Sequence, residues 1–90
     1  MHLTLRQLKI FEAVARHLSF SRAADELHLT QPAVSMQVRS LEEAAGLPLT
    51  EQVGKKIFLT EAGGELARHA RVVAQQLREA EEALAAMKGL

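Results

Sequence analysis

Ninety residues with eleven Lys and Arg, eleven Asp and Glu and no cysteine suffice for one small domain, or for a smaller core plus an extended element. The missing thiols exclude a disulfide framework and a thiolate metal site, and the four histidines, His2, His17, His28 and His69, have no two at helical ligand spacing, which argues against a histidine metal site, and no metal is expected. No apolar run approaches a membrane span and the N-terminus lacks the basic-then-apolar order of a secretory signal, so the expected location is the cytoplasm, with no membrane partner.

In chain order, Leu5, Leu8, Phe11 or Glu12, and Ala15 predict a first helix from about Leu5 to His17, its stripe extended by Ile10, Val14 and Leu18. Ser19 or Ser21 caps a second, short helix that ends near His28. Its Ala23 and Ala24 are small enough to let two helices approach closely, and Leu27 and Leu29 bracket a tight turn. The third helix runs from Gln31 to about Ala45, buries Val34, Val38 and Leu41 on one stripe, and stops at Gly46, a natural residue to end a helix. Leu49, Ile57 and Leu59 then alternate around Gly54-Lys55-Lys56, which reads as a two-stranded wing with a basic tip. Three helices followed by a hairpin is the order of a winged helix-turn-helix, so the expected fold is mainly α, with residues 1–60 as the reading domain.

The last third, 61–90, changes character. Thr60 caps a helix that continues to about Lys88, with apolar residues at Leu66, Ala70, Val73, Leu77, Ala80, Leu84 and Met87. Those steps alternate four and three, a heptad seam that asks for a partner, most simply a second copy of the chain. The competing reading folds the stripe back onto the same domain. The pattern is still running at Lys88-Gly89-Leu90, which points to a longer parent protein.

Residues 19–46 carry the chemistry. A helix, a tight turn and a longer helix form the unit that places its second helix in the major groove of DNA. The outward residues of that helix, Gln31, Ser35, Met36 and Arg39, suit base edges and phosphates. Thr30 is a good N-cap and Pro32 occupies the first turn, where a missing N–H costs nothing; the Thr30 hydroxyl is left with the Ala33 N–H, and the remaining amides and the helix dipole favour an anion such as a phosphate, with Ala33 counted among the phosphate candidates at this helix start. Read alone, T-Q-P-A is only a well-capped helix start. The alanine pair and the turn before it make it more than that.

Zero net charge argues at first sight against nucleic acid. The acids are clustered, however: Asp25 and Glu26 end one helix, Glu42 and Glu43 lie near the end of the next, and 27–41 and 52–60 contain none. Arg39, Lys55 and Lys56 fall in those acid-free windows, so a locally positive face remains, with few phosphate contacts and a modest salt slope. An enzyme would need a nucleophile with a base, a metal cluster or a phosphate-cradling loop; Gly54 and Gly63-Gly64 match none of those spacings, and no cofactor is expected on this chain. A coiled-coil adaptor without DNA binding is the better rival, but it leaves the face around Gln31 and Ser35 idle.

The runs L-R-Q-L-K-I-F at 5–11, S-F-S-R-A-A at 19–24, Q-P-A-V-S at 31–35, L-E-E at 41–43 and L-T-E-A-G at 59–63 resemble the N-terminal domain of a LysR-type transcriptional regulator across essentially the whole chain. Within that family Q-P-A-V-S-M-Q-V and E-Q-V-G-K-K-I are most similar to regulators of carbon-fixation operons. The resemblance implies sequence-specific binding of double-stranded DNA as a homodimer on an inverted repeat, the long helix serving as the dimerising linker. It also implies a small-molecule-sensing domain beyond this chain, and tetramers of the full-length parent. By position, Gln31, Pro32, Ser35 and Arg39 would face DNA, Arg22 and Thr30 would meet phosphates, and Lys55 and Lys56 would form the wing.

Three departures change what the resemblance implies. Met36 stands where many relatives place an arginine, which trades a polar contact for an apolar one, such as with a thymine methyl. Thr50 replaces the phenylalanine that usually anchors the wing, and Gln52 an arginine just after it. Gly63 and Gly64, if both helical, each weaken the start of the linker helix by roughly 1 kcal/mol relative to alanine.

Overall fold

The computed structural model describes residues 1–89, so only Leu90 of the expected dimerisation segment lies outside the described residues. Every helix starts at a hydroxyl cap. Thr4 opens α1 (Leu5–His17) with a reciprocal capping box: its Oγ1 accepts the Gln7 amide and Gln7 Oε1 accepts the Thr4 amide, both at 3.1 Å. Ser19 opens α2 (Phe20–Leu27), Thr30 opens α3 (Gln31–Ala45) and Thr60 opens α4 (Glu61–Lys88), each accepting the amide three residues on. Between α3 and α4 lie the paired antiparallel strands β1 (Thr50–Val53) and β2 (Lys56–Leu59). Their two-residue loop begins at Gly54 with φ of 63°, the left-handed conformation that a type II′ hairpin turn requires there.

The helix ends explain the tight connections. Leu18 and His28 both adopt left-handed φ, 49° and 56°, and reverse the chain within two residues. The Leu29 amide reaches back to the Ala24 carbonyl at 2.9 Å and closes the turn between α2 and α3. Gly46, φ 69°, ends α3. Leu18 therefore lies outside the α1 stripe assigned to it: the left-handed cap turns it outward, and it is exposed, as is Leu5 at the opposite end of the helix, one turn before the core begins.

Phe11, Val14, Ala23, Val34, Val38 and Leu41 are buried together where α1, α2 and α3 meet. The alanine pair does what its size allows, since Ala23 and Ala24 lie in the contact between helices and a larger residue there would hold them apart. The wing is fastened at its base. Leu49 is buried, Ile57 and Leu59 pack against the core, and the Glu42 carboxylate accepts the amides of Leu49 at 2.8 Å and Thr50 at 3.4 Å. That carboxylate does the anchoring for which Thr50 offers no aromatic ring.

The seam of α4 divides. Its first half returns to the domain: Gly63, Ala67 and Ala70 are buried, Leu66, Val73 and Leu77 half-buried, and the helix packs against α1 and β2. Ala70 is thus covered by the chain itself and is not an exposed seam position, a correction to the single seven-residue stripe. Ala80, Leu84 and Met87 stand exposed. With 28 residues at 1.5 Å each the helix is about 42 Å long, so its distal part projects beyond the elements it packs against. Gly63 also has a purpose the sequence does not reveal. A Cβ there would lie 2.9 Å from the Leu49 carbonyl carbon and closer still to its oxygen, whereas a Cβ on Gly64 would meet nothing within 4 Å.

Candidate nucleic-acid interface

The candidate face is built from the start of α2, the start of α3 and the wing. An open groove of about 800 Å³ is lined there by Arg22, Gln31, Lys55 and Lys56, together with Ser21, Gln52 and Phe58. Four residues predicted from separate parts of the sequence are thereby brought to one concavity. Among the described residues, Arg22, Arg39, Lys55 and Lys56 enter no salt bridge, whereas Arg16 and Arg68 do. An unpaired cation keeps its field for an incoming anion; a paired one does not.

The outward face of α3 is ordered from within. Gln31 Nε2 donates to Ser35 Oγ at 2.8 Å across one turn, which fixes the glutamine amide and leaves its Oε1 and one N–H for a base edge. Gln31, Pro32, Met36 and Arg39 are exposed, and Ser35 is half-buried. Arg39 does not reach the groove; it borders a separate hollow with Glu42, Glu43, Leu47 and Pro48. At the helix start Thr30 Oγ1 takes the Ala33 amide at 3.2 Å and the Thr30 carbonyl takes that of Val34 at 3.1 Å. Pro32 has no amide, so only that of Gln31 remains. Ala33 as a phosphate contact is corrected accordingly, because its one donor is consumed by the cap.

Gln52 and Phe58 are groove residues that were not among the candidates. Gln52 Nε2 donates to the Gly54 carbonyl at 3.2 Å, which braces the loop carrying Lys55. The alternation that turns Ile57 and Leu59 inward puts Phe58 outward, so its place was readable from period two. Behind the groove, Arg16 holds two helices together. Its guanidinium donates to both Glu26 carboxylate oxygens at 2.8 and 2.6 Å and through Nε to Glu12 at 3.2 Å, while His17 Nε2 lies 2.8 Å from Glu26. The Arg16 hydrogen bonds, with a smaller contribution from His17, lower the Glu26 carboxyl to about 2. Its negative charge is thus compensated locally.

Such a helix-turn-helix, flanked by a basic-tipped hairpin and carrying unpaired cations along its reading face, defines a winged helix-turn-helix protein of the regulatory class. Residues 5–64 match the bacterial regulatory helix-turn-helix protein, lysR family, and the chain belongs to that family. It is 60% identical over all 90 residues to a RuBisCO operon transcriptional regulator of Allochromatium vinosum, spanning 30% of that protein's length. The similarity to carbon-fixation regulators read from the sequence is therefore borne out, and the chain spans under a third of such a relative. Among solved structures, the CbnR_DBD-DNA complex superposes with a TM-score of 0.79 at 35% identity, covering 94% of this chain and 99% of that one. The BenM_DBD/catB site 1 DNA complex gives 0.85 at 29% identity, covering 94% and 96%.

Proposed function

We propose that this chain is the DNA-reading part of a cytoplasmic regulator of a carbon-fixation operon. In this reading α3 enters the major groove with Gln31, Pro32, Ser35, Met36 and Arg39 toward base edges. Arg22, Thr30 and the wing lysines Lys55 and Lys56 meet the phosphates on either side. The observation that carries it is the acid-free start of α3, joined through Gln31 to one groove with Arg22, Lys55 and Lys56, cations that no carboxylate neutralises. That the similar CbnR_DBD and BenM_DBD structures are DNA complexes supports DNA as the partner. Residues 1–60 form the reading head, and 61–90 pair two copies through the projecting part of α4 beyond Leu77, which presents Ala80, Leu84 and Met87. A two-fold pair demands an inverted repeat whose half-sites lie about one helical turn, roughly 10 base pairs, or a multiple of it apart. The parent protein adds a sensing domain and assembles to a tetramer, and the reading needs no cofactor in this chain.

Selection of bound duplexes from a random pool tests this. An interrupted inverted repeat is the expected product, and Lys55→Ala or Lys56→Ala should bind the same sequence with a salt slope flatter by about one unit each. Recovery of no preferred sequence would overturn the reading in favour of an adaptor. A wing variant that altered the preferred sequence at unchanged salt slope would show the wing to be misassigned.

A further inference from the structure

The outward face of α3 carries two different stripes. Gln31 and Ser35, hydrogen-bonded to each other, form a polar one. Beside it Pro32 and Met36, four residues apart and both exposed, form an apolar one, with Met36 at 61% exposure. A single exposed apolar side chain needs no explanation. Two on the same face of the helix that carries every base-reading candidate do, because water is a poor solvent for both and nothing in the chain covers them.

We infer that this apolar stripe reads the 5-methyl group of a pyrimidine, with Met36 as a specificity-determining residue. The inference rests on the proposed docking of α3 in the major groove. There the thymine methyl is the one apolar feature a base pair displays, since all others are donors and acceptors. A methionine suits it: the unbranched thioether is polarisable, and it adapts to a methyl whose position shifts with local groove geometry. The polar stripe then reads donors and acceptors on the adjacent pair, and the two stripes together discriminate a thymine from both a cytosine and a uracil. The ligand class is therefore a methylated pyrimidine in duplex DNA.

Deoxyuracil isolates this contact, because it removes the methyl and leaves every hydrogen-bonding group in place. Each thymine of the selected site is replaced in turn by deoxyuracil, and binding is measured by anisotropy for the native chain, Met36→Ala and Met36→Leu. Burial of one methyl corresponds to about fourfold in affinity, so at one or two thymines per half-site the native chain should lose about fourfold. Met36→Ala should show no such loss, binding thymine and uracil sites alike, and Met36→Leu should keep most of it. Replacing cytosine by 5-methylcytosine at the same position should gain a similar factor only when Met36 is present. Selective binding that is indifferent to every uracil replacement, or a loss that persists in Met36→Ala, overturns this inference alone. Absence of any selective binding overturns the docking on which it stands. Met36 touches no part of the core, so loss of fold does not confound the comparison, and circular dichroism of the variants checks that.

Discussion

Two adjacent glycines in the first turn of α4 should respond oppositely to the same substitution. Both are helical, so intrinsic propensity favours alanine at each by about 0.8–1 kcal/mol. At Gly64 nothing lies within 4 Å of the new Cβ, and Gly64→Ala should stabilise by about that amount. At Gly63 the Cβ falls within the envelope of the Leu49 carbonyl, 2.9 Å from its carbon and 3.3 Å from Cα. Backbone cannot rotate away as a side chain could. Leu49 is itself buried, its carbonyl accepts the Thr60 amide at 3.1 Å, and the Thr60 hydroxyl donates to the Pro48 carbonyl at 2.6 Å. Relief thus requires α4 to shift against the base of the wing. Overpacking of this kind costs about 3 kcal/mol at the upper end; subtracting the propensity gain leaves Gly63→Ala about 2 kcal/mol less stable than the native chain. The two variants should differ by about 3 kcal/mol, or some 12–24 °C in Tm for a domain of this size. Thermal and urea unfolding followed by circular dichroism, at one fixed protein concentration so that association contributes equally, measure this. A Gly63→Ala chain as stable as Gly64→Ala would refute the close approach.

Glu42→Ala removes the acceptor of the Leu49 and Thr50 amides and should cost about 1.5–3 kcal/mol in urea unfolding; Glu42→Gln, which keeps a carbonyl oxygen, should cost less, and equal losses would argue against this anchoring. The Glu26 carboxyl is held near 2, below its ordinary 4.5, so its contribution is present above the unfolded value and disappears as pH falls from about 4.5 to about 2. Because the pair is more than a third exposed, solvent screening limits it to about 1 kcal/mol, and Glu26→Gln should flatten the stability profile across that window and nowhere above it. Leu84→Glu places a charge on the projecting part of α4, where the side chain is 68% exposed; light scattering at micromolar concentration should show a dimer for the native chain and a monomer for the variant, with the unfolding of the reading head unchanged.

The secondary structure was legible because its signals are local. Thr30 and Thr60 cap from three residues away, Gly46 ends a helix by its own backbone, and period two sorts Ile57 and Leu59 from Phe58. The charged groups that fasten the site were not legible. Arg16 meets Glu26 and Glu42 meets Leu49 only after the helices have packed, and no periodicity in the chain announces a contact between elements. The same limit accounts for the candidate site: the sequence supplied Arg22, Gln31, Lys55 and Lys56 separately, and only the fold shows that they border one groove while Arg39 does not.

The long helix shows what periodicity can and cannot decide. A seam of alternating fours and threes establishes that one face is apolar, but says nothing of which body covers it. For its first half the answer lies in side-chain size. Gly63, Ala67, Ala70 and Ala74 form a second stripe of small residues beside Leu66, Val73 and Leu77, and small residues are what close approach of another backbone requires. Where they run, α4 lies against its own domain, and the Leu49 carbonyl occupies the space that a Cβ on Gly63 would need. Beyond Leu77 the seam residues Ala80, Leu84 and Met87 are all exposed, as a surface awaiting a second helix would be. The folded-back and partner-seeking readings of the seam therefore each describe one half of it. The junction between them, near Leu77, is where the reading head hands its orientation to the proposed dimer: a helix fixed at one end by Gly63 carries the register of the reading heads to the other.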